Sequence, residues 1–150
     1  MSTPLYFDEI EVGNTWTSES RTVTETDVVL FSGLTGDFNR LHVDHHYAKQ
    51  TAFGRPIAHG LLGVAWVAGL GSQSPNMRTE AFLGIRDWRF LKPLLIGDTV
   101  LVFTEVAEKL DSSRRRGTVV WKRDLRRHDD LVLQSGYFES LVTKRPRAES

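Results

Sequence analysis

Between Gly36 and His42 the chain carries a carboxylate, a carboxamide, a guanidinium and an imidazole: Gly36-Asp37-Phe38-Asn39-Arg40-Leu41-His42. A carboxylate and an imidazole that face one small volume are the usual parts for moving protons at neutral pH. Asp37 and His42 are five positions apart, so they converge only if the chain between them bends. Gly36 permits the positive φ that opens such a bend, and Asn39 tolerates turn geometry. The plainer reading is a polar turn in which Asp37 and Asn39 cap backbone groups.

A second feature lies downstream. His59-Gly60 opens the most apolar run of the chain. A buried helix starting there points free N–H groups, and the positive end of its dipole, out of its first turn. Such a terminus suits a carbonyl oxygen that gains negative charge.

These residues need elements to position them. Trp16 to Val23 alternates as a strand. Thr24-Glu25-Thr26-Asp27 is a Thr-x-x-Asp variant of a helix N-terminal capping pattern. Val28, Phe31 and Leu34 then space as one apolar helical face, with Leu30 beside them, and the helix ends at Gly36. Asp44 caps a short helix over residues 45–51, stopped by Gly54 and Pro56. The run His42-Val43-Asp44-His45-His46 has metal-ligand residue types, but neighbouring residues point in different directions, and no bound metal is expected. Residues 57–70 are apolar almost all the way round, which predicts a buried helix. Gly60, Gly63 and Gly69 make it thin, and since glycine costs up to roughly 1 kcal/mol each against alanine, three of them imply a packing need. Four strand-like stretches follow, at residues 81–90, 99–107, 117–125 and 131–142. Strands after a helical segment argue an α+β fold with a mainly antiparallel sheet.

At 150 residues and 40% hydrophobic content the chain reads as one domain, with residues 143–150 as a frayed end. Nineteen basic residues balance nineteen acidic ones, so nothing in the charge suggests nucleic acid or a membrane surface. No cysteine is present, which removes disulfides and thiolate metal sites and fits a cytoplasmic setting. The longest apolar run, residues 61–70, falls short of the roughly 20 residues of a membrane span. The first residues lack the basic start and apolar core of a signal peptide.

Two motifs together, Gly36-Asp37-Phe38-Asn39-Arg40-Leu41-His42-Val43-Asp44 and Phe53-Gly54-Arg55-Pro56-Ile57-Ala58-His59-Gly60-Leu61, resemble the MaoC-like, or hydratase-2, family of (R)-specific enoyl-CoA hydratases. Phe90-Leu91-Lys92-Pro93 and Ile96-Gly97-Asp98-Thr99-Val100 fit as well, and the resemblance spans roughly residues 7–142. The family usually has proline where this chain has Arg40, which changes the loop's rigidity and charge. The resemblance implies a hot-dog fold, one long central helix wrapped by a curved antiparallel β-sheet. It implies an acyl-CoA substrate with no separate cofactor, coenzyme A being part of the substrate, and a homodimer that pairs sheet edges, or a higher oligomer built from such dimers. It also implies Asp37 and His42 as the catalytic pair, with Asn39 helping to hold the water or the pair.

Hydrating a 2-enoyl thioester requires a water activated for attack at C3, a proton for C2, and stabilisation of the enolate-like thioester oxygen. Asp37 and His42 can share the first two tasks and the Gly60 N–H can serve the third. His59 is either a substrate-side residue or one bonded within the fold. Arg40 could pair with a substrate carboxylate. Ser112-Ser113-Arg114-Arg115-Arg116 is either a solvated hairpin turn or a contact of Arg114, Arg115 and Arg116 with coenzyme A phosphates. Trp66 faces either the core or the acyl channel. Residues 57–71 contain no acid, unlike hot-dog thioesterases and short fatty-acid-synthesis dehydratases, which carry one on the central helix. A carrier-protein-bound, branched or carboxylated thioester, or a non-catalytic acyl-CoA-binding subunit, are the alternatives.

Overall fold

The computed structural model describes residues 2–147. Its frame is a six-stranded antiparallel sheet. The strands are β1 (Thr15–Thr17), β2 (Arg21–Thr22), β3 (Thr79–Phe90), β4 (Thr99–Asp111), β5 (Arg116–Arg127) and β6 (Val132–Thr143). They lie in the order β1-β4-β5-β6-β3, with β2 also on β4. The four long strands coincide with the four stretches read from the sequence. Their alternation is the cause: Val100, Val102, Thr104 and Val106 of β4 all turn into the core, as a two-residue period requires. The strand expected over residues 16–23 is split. Ser18 leaves the ladder, and its hydroxyl accepts from Val102 N–H at 2.8 Å.

Among the described residues four α-helices accompany this sheet: α1 (Glu25–Thr35), α2 (Arg40–Val43), α3 (His45–Ala48) and α4 (Gly60–Gly71). With α4 wrapped by the curved antiparallel sheet, the architecture is the α+β hot dog. Four expectations for the helices require correction. First, α4 begins at Gly60 rather than Ile57, because Ile57 and Ala58 are extended and bond sideways, Ile57 N–H to Leu41 O and Ala58 N–H to Leu94 O. Second, α4 is not buried all round. Leu62, Gly63, Trp66, Val67 and Gly71 face the core, while Leu61, Ala65, Ala68 and Gly69 are exposed. Third, the face of α1 that packs is Val28, Phe31 and Ser32 rather than Val28, Phe31 and Leu34; Leu34 is 82% exposed and Leu30 is exposed as well. Fourth, α3 stops at Ala48, short of the expected residue 51.

The glycines of α4 have a local reason at three positions. A Cβ on Gly63 would stand 2.2 Å from the Gln134 Nε2, one on Gly60 2.9 Å from the Phe90 ring, and one on Gly71 2.6 Å from the Arg123 Nη1. The helix approaches β6, β3 and β5 too closely for side chains there. Gly69, on the outer face, has open space around it and no such role. Trp66 is 8% exposed and packs in the core, with the Arg21 guanidinium 4.2 Å from its ring centroid. The expected frayed end is also partly wrong. Thr143 closes β6, the Lys144 amide donates to Arg115 O, and Arg145 N–H donates to the Asp8 carboxylate; residues 148–150 lie outside the described residues. No described helix is long and apolar enough to cross a membrane.

The capping pattern before α1 is present in full. Asp27 N–H donates to the Thr24 hydroxyl, and Thr24 N–H donates to the Asp27 carboxylate at 2.8 Å. Partial burial works against the Asp27 anion, but the Thr24 N–H, the Thr24 hydroxyl and the Arg21 charge outweigh it and hold the carboxyl below its ordinary value. A depressed carboxyl stabilises the fold above the unfolded-state value, near pH 4, and the contribution fades as pH falls through the folded value. Asp27→Ala should therefore cost about 1 kcal/mol at pH 7. In urea unfolding the difference from wild type should shrink below about pH 4; an undiminished difference at pH 3 would contradict this origin.

Candidate active site

Gly36 closes α1 in the left-handed region, at φ 79°, with its N–H on Ser32 O. That reversal turns the chain out of the helix at Asp37. The Asp37 carboxylate then accepts from Asn39 N–H at 3.1 Å, which folds the loop on itself. Asn39 caps α2 by accepting from Leu41 N–H at 3.0 Å. One turn of α2 carries His42 back toward Asp37, and Asp37 Oδ2 stands 3.9 Å from His42 Nε2. The bend that the five-residue spacing demanded is thus made by one left-handed glycine and two side-chain turns.

His42 is held from its other nitrogen. Nδ1 donates to the Ile57 carbonyl at 2.7 Å. A carbonyl only accepts, so Nδ1 carries the proton and the neutral ring keeps a bare Nε2 toward Asp37. His59 reaches the same point from the entrance of α4. Its Nε2 is 3.0 Å from Asp37 O, 3.2 Å from the Ser32 hydroxyl and 3.9 Å from Asp37 Oδ2. The His42 and His59 rings stack with centroids 3.8 Å apart, and Phe31 packs on the far side of His59 at 5.0 Å. His59 is 3% exposed and its Nδ1 has no partner among the described residues. Of its two readings, bonding within the fold is the one seen: it ties α1, the Asp37 loop and α4 together.

His59 is the residue that precedes α4, so the unpaired N–H groups of the helix's first turn open beside Asp37 and His42. Gln134, 1% exposed, fixes that turn by donating to Gly60 O at 3.0 Å while accepting from the Trp88 indole at 3.2 Å. Ser32 and Gln134 were missed in the sequence. Ser32 stands four residues after Val28 on the packed face of α1, a polar residue at an apolar position. Gln134 sits on the inward face of β6, a long polar side chain opposite Gly63.

Other candidates are placed differently. The Arg40 guanidinium donates to the Asp44 carboxylate at 3.1 Å and lies over the Tyr47 ring. The Tyr47 N–H and the Arg40 guanidinium keep Asp44 below the usual carboxylate range, so the Arg40 charge is already matched. His45 pairs with Glu25, away from His42. A different trio, Asp37, His42 and His59, brings metal-type ligand atoms within 4.8 Å of one another. In it the His59 Nε2 proton is engaged by Asp37 O, so that nitrogen has no free lone pair. The turn of Arg114, Arg115 and Arg116 is not brought to the pair. Gln134 stands opposite Leu125, and Arg116, paired with Glu80 at 2.7 Å, is at the other end of β5, about 30 Å away at roughly 3.3 Å per residue.

Comparison with known proteins agrees with this geometry. The family described as MaoC like domain matches residues 10–125. A 3-hydroxybutyryl-CoA dehydratase of Methylorubrum extorquens is 38% identical over 112 residues, 74% of this chain and 69% of that protein. An (R)-specific enoyl-CoA hydratase of Rhodospirillum rubrum is 38% identical over 96 residues, 63% of this chain and 65% of its own length. The R-hydratase PhaJ1 of Pseudomonas aeruginosa superposes with a TM-score of 0.82 at 28% identity, covering 98% of this chain and 94% of that one. A turn that sets an acid against a histidine at the mouth of a sheet-wrapped helix, in a chain matched from residue 10 to residue 125, places this protein in the MaoC-like dehydratase family.

Proposed function

We propose that the protein is a hydro-lyase that adds water to a 2-enoyl-CoA, giving an (R)-3-hydroxyacyl-CoA, and catalyses the reverse dehydration. The observation that carries this is the convergence of Asp37 Oδ2 and the bare His42 Nε2 at 3.9 Å beside the first turn of α4. In the proposed reaction the water lies between these two groups. They take a proton from it as its oxygen bonds to C3. The C2–C3 double bond opens toward the thioester, and the oxygen, now enolate-like, is held by the Gly60 N–H at the helix terminus. A proton returned to C2 completes the addition, so both atoms of the water's O–H bond are accounted for. The relatives' printed activities, an (R)-specific enoyl-CoA hydratase and a 3-hydroxybutyryl-CoA dehydratase, are the two directions of such a reaction.

Asn39 enters this reading as the residue that shapes the turn, with its NH2 group left to hold the water. No separate cofactor is required. The cysteine-free chain fits a reducing cytoplasm.

A second copy completes the picture. β3 is an edge strand of twelve residues with Phe82, Leu83 and Ile85 exposed, and such an edge is a template for pairing. Antiparallel pairing of two β3 edges sets the Thr79 end of one copy against the Phe90 end of the other. Phe90 lies against Gly60, and Glu80 holds Arg116. The arginine turn of one copy then faces the α4 entrance of its partner, which is the route by which Arg114, Arg115 and Arg116 reach the phosphates of coenzyme A.

Two experiments test these readings. With crotonyl-CoA, loss of the conjugated thioester absorbance should be fast for wild type. It should fall by about 10²- to 10⁴-fold for folded Asp37→Asn and His42→Ala; equal rates would remove the pair from the mechanism. Sedimentation should show a dimer, and replacing Arg114, Arg115 and Arg116 together by Ser should raise KM about ten-fold with little change in kcat, each lost charge-assisted bond being worth roughly 1.5–3 kcal/mol before solvent screening. A wild-type monomer, or an unchanged KM, would contradict the composite site.

A further inference from the structure

The far end of α4 holds a feature that the hydratase reading does not use. Arg123, in the middle of β5, is 7% exposed. Among the described residues no carboxylate lies within ion-pair distance of it; its neighbour Asp124 is engaged by Lys122, Arg126 and Ser135. Of its five N–H groups, one donates to a protein acceptor, Nη2 to Gly71 O at 3.2 Å, and Nε is buried with no partner. Burial without an anion pushes the guanidinium down to about 10. The chain makes room for the group, since any side chain at Gly71 would collide with it.

The surroundings are those of a ligand pocket. A cavity of about 390 Å³ opens onto Arg123, walled by Met77, Phe82 and Phe138 and edged by Ser72, Asn76 and Thr79. The Phe138 ring centroid is 5.2 Å from the guanidinium carbon. The volume is within the range of small-molecule sites, which combine apolar walls with a few convergent polar groups. A buried cation is costly unless paired. The Gly71 carbonyl, at the negative end of α4, supplies a partial charge and leaves the rest uncompensated.

We propose that this cavity binds a small organic monocarboxylate, its carboxylate on the free edge of the Arg123 guanidinium and its apolar part against Phe82, Phe138 and Met77. One negative charge matches one buried positive charge; a phosphate dianion would leave a surplus charge among apolar walls. The fork of an arginine takes a carboxylate through two parallel bonds. Within one chain the site is separate from the Asp37–His42 pair. The two lie at opposite ends of α4, a helix of about 17 Å at roughly 1.5 Å per residue.

The test is calorimetric titration of the full-length chain with sodium hexanoate and, separately, with hexanamide, its neutral counterpart of similar shape. Hexanoate should bind one per chain, and hexanamide at least about ten-fold more weakly, as the loss of charge-assisted bonds requires. Arg123→Met should bind both ligands equally and weakly. The two wild-type titrations decide the matter even if that variant fails to fold. Equal wild-type binding of the two ligands, or none of either, overturns the proposal. So does a wild type that ignores hexanoate while Arg123→Met weakens self-association in sedimentation, because the counter-ion is then a carboxylate of a second copy. Crotonyl-CoA turnover is measured alongside. Its absence with hexanoate binding intact would count against the hydratase reading and leave this site standing.

Discussion

The hydrogen bond from His42 Nδ1 to the Ile57 carbonyl is the constraint on which the rest of the site depends. It commits the ring's proton to one nitrogen and leaves the other as a base. It also explains why the helix starts late. For Ile57 to offer its carbonyl sideways it must be extended, and it is held that way by its own N–H on Leu41 O and by Ala58 N–H on Leu94 O. Three residues that look helical by apolar content are therefore spent as a strap between α2 and the β3–β4 connection. The strap delivers His59 to the face of His42 and the first turn of α4 to the space beside Asp37. Removing the acceptor would leave a partly buried N–H unsatisfied, at about 1–3 kcal/mol, and would free the tautomer as well.

Around that bond the site is assembled from segments distant in sequence. α1 contributes Ser32 and Phe31, the loop contributes Asp37, α2 contributes His42, the strap contributes His59, and β6 contributes Gln134. The imidazoles are fixed from behind by backbone or by a buried partner, and the carboxylate of Asp37 is more exposed than either. The exposed position of the acid and the sheltered position of the imidazole suit a pair in which one group meets water and the other holds a defined orientation. Arg40, where the family commonly has proline, does not disturb this. Its guanidinium turns along α2 to Asp44, and the helix forms without proline's restraint.

Much of this was legible in the sequence where one local rule acted alone. The four long strands follow their two-residue alternation. The Thr24–Asp27 cap, the left-handed Gly36 and the Asp44 cap follow from side-chain chemistry at helix ends. The family motif located Asp37, His42 and His59. What was not legible came from tertiary competition. Ile57 is as apolar as the helix after it, and only the Leu41 carbonyl, which accepts from its N–H, and the His42 Nδ1–H, which donates to its carbonyl, turn it into a strap. Leu34 fits the helical period of α1, yet the packed row runs through Ser32, whose hydroxyl lies 3.2 Å from His59 Nε2. Gly60, Gly63 and Gly71 signalled a close approach, but the partners Phe90, Gln134 and Arg123 lie on three different strands. No spacing in the chain connects them.

The most direct measurement is the tautomer of His42, read from the 15N shifts of its two ring nitrogens in uniformly 15N-histidine-labelled protein above the pH at which imidazoles titrate, with the resonances assigned by comparison with His42→Ala. The account predicts a protonated Nδ1, bonded to the Ile57 carbonyl, and an unprotonated Nε2 toward Asp37. A proton on Nε2 with Nδ1 bare would mean that the strap does not hold the ring, and the base proposed for the water would not exist.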